Sequence, residues 1–499
     1  MSKSALAVSR ICEKYAAETA LRYNNRDITY CEYHEWILKA AAGLKQAGIK
    51  KGDRVALLAE NSFHLPMLIF ALFSLGAVAV PLNFRFPLQQ INTMLSSINC
   101  RRILISKKYK RKFAGLTLPV IEIENFSRKI KHTGSPAGVI NLKLNQAATI
   151  IFTSGSSGYP KAALLTIGNH YYNALGSNAH IRLKPGDCWL LSLPLFHVGG
   201  LAILFRTFLS GATSVLMPGN ASLLKIIPGQ NITHLSLVPA QLYRLLAEQH
   251  TTKFLQRLNA ILLGGGPPAD TLIEEAVRQQ LPIYLTYGLT ETASQVTTTK
   301  QPLRMNKPDH SNAGQILLYR KLKINKQGEI LVKGSILFKG YIRKERIYLP
   351  LDKNGWFNTG DLGKIDSRGN LLVLGRKDNM FISGGENIYP EEIERILRDM
   401  KGIADALVVP VPDKEFGRRP VAFIKSDKGA QIKVEQLRTC LQKKIARYKI
   451  PIFFLHWPRN YAAWKPQRKD FMIMARTVLS FDKISAVYRM PSFSRRGWK

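Results

Sequence analysis

Acidic side chains are scarce in this chain. Asp and Glu total 34 against 72 Lys and Arg, a formal net charge of +38 over 499 residues. That imbalance favours anionic partners, which include nucleotides, coenzyme A, nucleic acid and acidic membrane surfaces. The basic residues are scattered along the whole length without a basic heptad region, so specific nucleic-acid binding is not expected. Cysteine is rare as well: Cys12, Cys31, Cys100, Cys188 and Cys440 are odd in number, widely spaced and form no C-x-x-C. Neither a disulfide frame nor a zinc site fits that usage; reduced thiols in the cytoplasm do. Long unbroken apolar runs are missing too. Leu65–Leu82 and Cys188–Phe205 carry no charge, but Pro66, Gly76 and Pro81 punctuate the first and Pro194, Gly199 and Gly200 the second. Both read as buried helix–turn–strand units rather than transmembrane segments. The opening "MSKSALAVSRICEKYAAE" has an apolar patch too short for a signal sequence.

What is present is an ordinary globular composition, 46% hydrophobic and 21% charged, long enough for two to four domains. Short β-branched runs ("RVALLAE", "AVAVPL", "RILIS", "AATIIF", "TSVLMP", "THLSLVP", "AILLGG") alternate with helical patterns ("HLPMLIFALFSL", "AQLYRLLAEQ", "DTLIEEAVRQQ"). Such alternation predicts an α/β fold with doubly wound parallel sheets. Near 315–375 the runs become short and closely spaced with Gly turns, which predicts a smaller β-rich subdomain. After Arg376 the pattern is that of a compact α+β unit. The expected division is a large domain over 1–374, a small one over 375–475, and a basic tail over 476–499.

Three motifs carry chemistry. "TSGSSGYPK", 153–161, follows an apolar strand and is rich in Gly and hydroxyl groups, the makings of a backbone anion nest with Lys161 as a point charge. It is not a Walker loop, because Pro160 stands where the second Walker glycine belongs. A polar connection after a strand is the plainer reading. "YGLTE", 287–291, offers Gly288 for close approach of a ligand, the Thr290 hydroxyl, and Glu291 as a carboxylate for magnesium on phosphate oxygens; a helix cap reads equally well. "WFNTGD", 356–361, sets Asp361 after a Gly turn where it could accept both ribose hydroxyls, with Arg376 of "GRKDN" opposite. An Asx turn is the alternative.

Taken together and in this order, these segments resemble the adenylate-forming superfamily of acyl-CoA synthetases, luciferases and peptide-synthetase adenylation domains. The resemblance runs from "ITYCEYHEWILKAAAGLKQAGIKKGDRVALLAEN" to about residue 470. It implies a large N-terminal domain, a mobile C-terminal domain, a site at their interface, and ATP, Mg²⁺ and coenzyme A as reactants or cofactor. Thr153, Ser154, Gly155, Ser156, Ser157, Gly158 and Lys161 match the loop on the ATP phosphates. Gly264, Gly265, Gly266 and Tyr287 match the adenine wall, and Thr290 and Glu291 the phosphate and magnesium contacts. Asp361 and Arg376 match the ribose contacts, and Asp378 the hinge. His197 of "PLFHVGG" matches the residue that closes the acyl pocket, a core histidine being the bland alternative. Gly384 and Gly385 of "SGGENIYPEEIE" match the loop lining the thiol channel.

The chain departs from the family at the catalytic lysine. In "WPRNYAAWKPQRKDF" Trp464 replaces the usual glycine, so Lys465 is assigned with Lys469 as second candidate. "WLLSLPLFHVGGLAILFRTFLSGA", "LSLVPAQLYRLL", "ILLGGGPP" and "VPVPDKEFGRRPVAF" are most similar to the o-succinylbenzoate–CoA ligases of menaquinone biosynthesis, which implies a small carboxylic acid as partner. Arg206 adds a physical reason, because a guanidinium inside an uncharged run needs an anion. A protein carboxylate would serve as well as a substrate. Aryl- or fatty-acid–CoA ligases and a non-catalytic nucleotide-binding relative are the competing readings, and a homo-oligomer stays open.

Overall fold

The computed structural model describes the chain apart from residues 1–3, 25, 132–137, 154–159, 218–221, 249–250, 304–311, 344–345, 384–385, 414–415, 428–429, 431, 446, 459–460, 462–465 and 481–499. Two large sheets form the N-terminal part. In one, Ala147–Thr153, Val78–Pro81, Arg54–Leu58, Arg102–Ile105 and Val120–Glu122 run parallel in that spatial order. In the other, Ile283–Leu289, Ala260–Leu263, His234–Leu237, Cys188–Leu191, Thr213–Leu216 and Thr19–Tyr23 are parallel neighbours. Each sheet gains antiparallel strands at its edges, among them Lys161–Thr166 beside Ala147–Thr153 and Ser294–Thr298 beside Ile283–Leu289.

The doubly wound expectation holds, and so does its reason: the strands are apolar on both faces because helices cover both. One core cluster joins Leu57 and Ala79 of the first sheet to Trp189, Leu191 and Leu216 of the second through Phe70, Phe73, Phe205 and Phe208. Those phenylalanines lie on the helices His64–Ser74 and Val198–Ser210. The two uncharged runs are therefore interior. Leu65–Leu82 is a helix, a turn and a strand; Cys188–Phe205 reverses the expected order, strand first and helix second. No helix among the described residues is long and apolar enough to cross a membrane.

Arg320–Ile324, Glu329–Gly334, Phe357–Ile365 and Leu371–Arg376 form a separate antiparallel sheet, the β-rich subdomain. Beyond it, the helices Pro390–Arg398 and Val434–Lys444 pack on the strands Ile403–Asp413, Gly417–Ser426 and Phe453–His456. A further helix, Arg468–Ser480, runs past residue 475 because Phe471 and Ala475, four apart, are both buried against that sheet.

Two long helices start at reciprocal caps. Thr29 accepts the Glu32 N–H at 3.1 Å while the Glu32 carboxylate accepts the Thr29 N–H at 2.8 Å; Thr166 and Asn169 repeat the arrangement at 3.1 and 2.8 Å. Asn169 also donates to the Ser335 and Leu337 carbonyls, tying its helix to the segment leading into Gly340–Arg343. Thr29→Ala should lower the unfolding free energy of the N-terminal part by about 1 kcal/mol. Scanning calorimetry should show a lower thermal midpoint with nucleotide affinity retained, and an unchanged midpoint would contradict the capping account.

Candidate active site

The carboxyl ends of parallel strands leave a crevice where ligands bind in open α/β sheets. Here that edge carries Gly264, Gly265 and Gly266, directly after Ala260–Leu263, and Tyr287 near the end of Ile283–Leu289. A Cβ on Gly264 would stand 2.7 Å from Thr286 Cγ2, Gly265 has φ +83°, and Gly266 faces open space. At Tyr287 and Gly288 the pairing with Ser294–Thr298 shifts register. A Cβ on Gly288 would lie 1.9 Å from the Ser294 carbonyl oxygen, so only glycine allows this hairpin to close.

Asp361 is the centre of the next group. Its carboxylate accepts the Tyr287 hydroxyl at 2.6 Å and Arg376 Nη1 at 2.9 Å. Arg376 pairs with Asp361 across the strands Phe357–Ile365 and Leu371–Arg376 and also donates to the Thr359 carbonyl at 3.0 Å. Burial and the neighbouring Asp361 charge push the Tyr287 phenol well above its ordinary range, so it stays a donor. Burial opposes the Arg376 charge, but Asp361 outweighs it and the net effect raises its pKa. Asp378, two residues on in the short helix Lys377–Asn379, adds to that field.

A second group gathers around Glu291. Glu291 accepts the Tyr341 hydroxyl at 2.5 Å, and its carbonyl accepts the Phe338 N–H at 2.8 Å. Lys161 Nζ stands 5.5 Å from the centre of the Tyr341 ring. Lys161 is also the register partner of Thr153, so the two ends of the 153–161 loop are held together. Ser154, Gly155, Ser156, Ser157 and Gly158 lie outside the described residues, as do Gly384, Gly385 and Lys465. Thr290 and Glu291 open a short helical turn, Thr290–Thr292, which leads into Ala293 and Ser294, both at positive φ. One carboxylate beside a hydroxyl and a lysine suits magnesium held mainly by phosphate oxygens, since that ion commonly takes one or two carboxylates plus phosphates. Among the described residues no group of three acidic, His or Cys side chains offers a protein-only metal cage.

His197 precedes the helix Val198–Ser210 and is exposed, which does not fit a core histidine. Nine residues on, Arg206 is fully buried. Its Nη2 reaches Ser294 Oγ at 3.4 Å, its guanidinium lies 5.2 Å from the Trp189 ring centre, and Nε has no partner. Among the described residues it makes no ion pair, so the protein-carboxylate alternative is not realised. Lys469 is exposed on the helix Arg468–Ser480. Its neighbour Arg468 is instead anchored, 2.5 Å from Glu394 and 3.6 Å from Glu391. Tyr341, Ser294 and Arg320 did not emerge from sequence reading. Tyr341 follows Gly340 in the β-rich region, and its place beside Glu291 depends on a non-local strand pairing with Lys161–Thr166.

Residues 8–342 match the AMP-binding enzyme family, and 392–459 match the AMP-binding enzyme C-terminal domain. The chain belongs to the AMP-binding enzyme family. Within it, the chain is 34% identical to a 2-succinylbenzoate–CoA ligase of Bacillus cereus strain Q1, over 89% of this chain and 93% of the relative. The fold matches o-succinylbenzoate CoA synthetase (MenE) from Bacillus subtilis in complex with the acyl-adenylate intermediate OSB-AMP, with TM-score 0.85 and 30% identity over 94% of this chain and 98% of that one. The Bacillus subtilis enzyme in complex with ATP and magnesium ion gives TM-score 0.84 and 29% identity, covering 93% and 98%.

Gly288→Ala should force the hairpin backbone apart, an overpacking cost of about 1–3 kcal/mol. Thermal melting should show a lower midpoint and a smaller upward shift on adding MgATP. A variant that melts and responds like the parent would contradict the close-approach argument.

Proposed function

We propose that the protein is an AMP-forming acid–thiol ligase that makes o-succinylbenzoyl-CoA from o-succinylbenzoate, ATP and CoA through an acyl adenylate, in menaquinone biosynthesis. The observation that carries the substrate is Arg206, a buried cation with no anionic partner among the described residues, one side chain away from the hairpin bearing Thr290 and Glu291. Burial lowers its pKa to about 9, with the charge of Arg320 adding to the effect. A second carboxylate on the acid is the partner it needs; the relatives named for this substrate support the same choice.

In this reading Asp361 accepts the ribose hydroxyls, while Arg376 holds it in place. Tyr287 and Gly264, Gly265 and Gly266 form the adenine wall. Thr153, Ser154, Gly155, Ser156, Ser157, Gly158 and Lys161 hold the β- and γ-phosphates. Thr290 and Glu291 would hold magnesium with the phosphate oxygens, where it supplies charge neutralisation. His197 closes the acyl pocket. The reaction joins two anions, carboxylate and α-phosphate, so it needs preorganised positive charge more than acid–base help. Lys465 supplies that charge for adenylation. The 375–475 domain then turns about Asp378, withdraws Lys465, and brings Gly384 and Gly385 to the path of the CoA thiol. The reading includes a cytoplasmic location and gives 476–499 no part in the chemistry.

A panel of acids assayed for ATP- and CoA-dependent thioester by mass spectrometry tests the substrate. o-Succinylbenzoate should be converted far more efficiently than benzoate or fatty acids, and preference for one of those would overturn the assignment. Lys465→Ala should slow adenylate formation roughly 10²–10³-fold, as loss of one preorganised charge does. It should still convert a supplied acyl adenylate to thioester. If Lys469→Ala abolishes adenylation while Lys465→Ala spares it, the catalytic lysine is misassigned.

A further inference from the structure

Among the described residues, Arg206 is not the only buried arginine without an acid. Arg320, which begins the strand Arg320–Ile324, is 6% exposed. Its Nε donates to the Leu318 carbonyl at 2.9 Å, Nη1 donates to the Gln295 carbonyl, and Nη2 has no partner. Backbone carbonyls orient a guanidinium but do not neutralise it. The two arginines sit on either side of the Ser294–Gln295 pair, since Arg206 reaches Ser294 Oγ and Arg320 the Gln295 carbonyl. Burial, with the Arg320 charge adding to it, pushes the Arg206 pKa down to about 9, and burial pushes that of Arg320 down to about 9.

The fold makes room for this second cation. Gly176, on the helix Ile167–Asn178, passes so close that a Cβ there would stand 2.3 Å from Arg320 Nη2. Other buried polar atoms nearby, Ser177 Oγ and Gln295 Oε1, also lack partners but are uncharged and cannot balance the pair. Two like charges buried side by side are strongly unfavourable unless an anion joins them.

We propose that Arg206 and Arg320 form a two-guanidinium receptor for the carboxylate of the acid that is not activated, with Arg320 as a positioning residue that sets selectivity for dicarboxylates. The proposal rests on the reading of Arg206 as partner of that second carboxylate. Arg206 makes the direct contact, and Arg320 adds the second charge and holds Gln295 behind it. An uncharged acyl tail then leaves both cations unbalanced in the interior, so monocarboxylates are rejected as well as dicarboxylates favoured.

The test compares steady-state kinetics with o-succinylbenzoate and with 4-oxo-4-phenylbutanoate, which lacks the ring carboxylate. Arg320→Gln should raise KM for the dicarboxylate about 10- to 100-fold, the loss of one charge-assisted interaction. It should leave kcat within about threefold and the KM for the monocarboxylate unchanged or lowered, as one unbalanced cation is gone. Arg320→Lys keeps the charge and should restore selectivity to within about fivefold of the parent. Equal effects on both acids, no effect on either, or a Lys variant no more selective than the Gln variant overturns the proposal. If Arg320→Gln fails to fold, Gly176→Ala carries the test, because its methyl displaces Nη2 while the charge remains; its dicarboxylate KM should rise selectively, and an equal change for both acids overturns the proposal. Arg206→Gln separates the two claims. Selectivity that survives it sinks the reading beneath, whereas selectivity lost at Arg206 but kept in Arg320→Gln sinks this inference alone.

Discussion

The carboxylate of Asp361 is where three parts of the chain meet. Tyr287 reaches it from the end of a parallel strand, Arg376 from the last residue of the β-rich sheet, and Asp361 itself sits in the strand Phe357–Ile365. A buried carboxylate needs hydrogen-bond donors on its oxygens, and here both oxygens have one. The strand end at Tyr287 and the β-rich sheet are thereby fixed relative to each other. Arg376 is also the last residue before the turn that holds Asp378, so the same ion pair anchors the chain where it enters that turn.

What lies beyond that turn is held more lightly. Asp399 Oδ1 accepts the Thr271 N–H at 3.0 Å and its hydroxyl at 3.1 Å, capping the helix Asp270–Arg278 from the other domain. That helix has no side-chain cap of its own at Ala269. Arg395 stands 3.7 Å from Asp270, and both side chains are partly exposed. Exposed ion pairs are worth about 0–1 kcal/mol, so these contacts can orient the small domain without fixing it. Inside the small domain the bonds are firmer: Arg468, mostly enclosed, pairs with Glu394 at 2.5 Å and with Glu391 at 3.6 Å.

Much of this was legible beforehand because it is local. Alternating apolar runs found the parallel strands, and Gly and Asp at set places in "YGLTE", "WFNTGD" and "GRKDN" found the residues that cluster around Asp361. The helix that continues to Ser480 was not legible, since "FMIMARTVLS" buries only one turn-spaced pair, Phe471 and Ala475, under a mixed sequence. Tyr341 and Arg320 were hidden for another reason. Each acquires meaning only through a non-local approach, Tyr341 to Glu291 and Arg320 to Gln295 and Gly176. Arg206 was conspicuous as a charge in an apolar run; whether a protein carboxylate answered it depended on the tertiary fold.

The proposed chemistry joins a carboxylate to the α-phosphorus of ATP, which calls for preorganised positive charge and hydrogen-bond donors. The most direct measurement follows the oxygen atoms. With o-succinylbenzoate labelled with ¹⁸O in its carboxylates, a single turnover with MgATP and CoA should place one labelled oxygen in the phosphate of AMP and none in pyrophosphate. Label in pyrophosphate or inorganic phosphate, or formation of ADP, would contradict an acyl adenylate and the role given to this site.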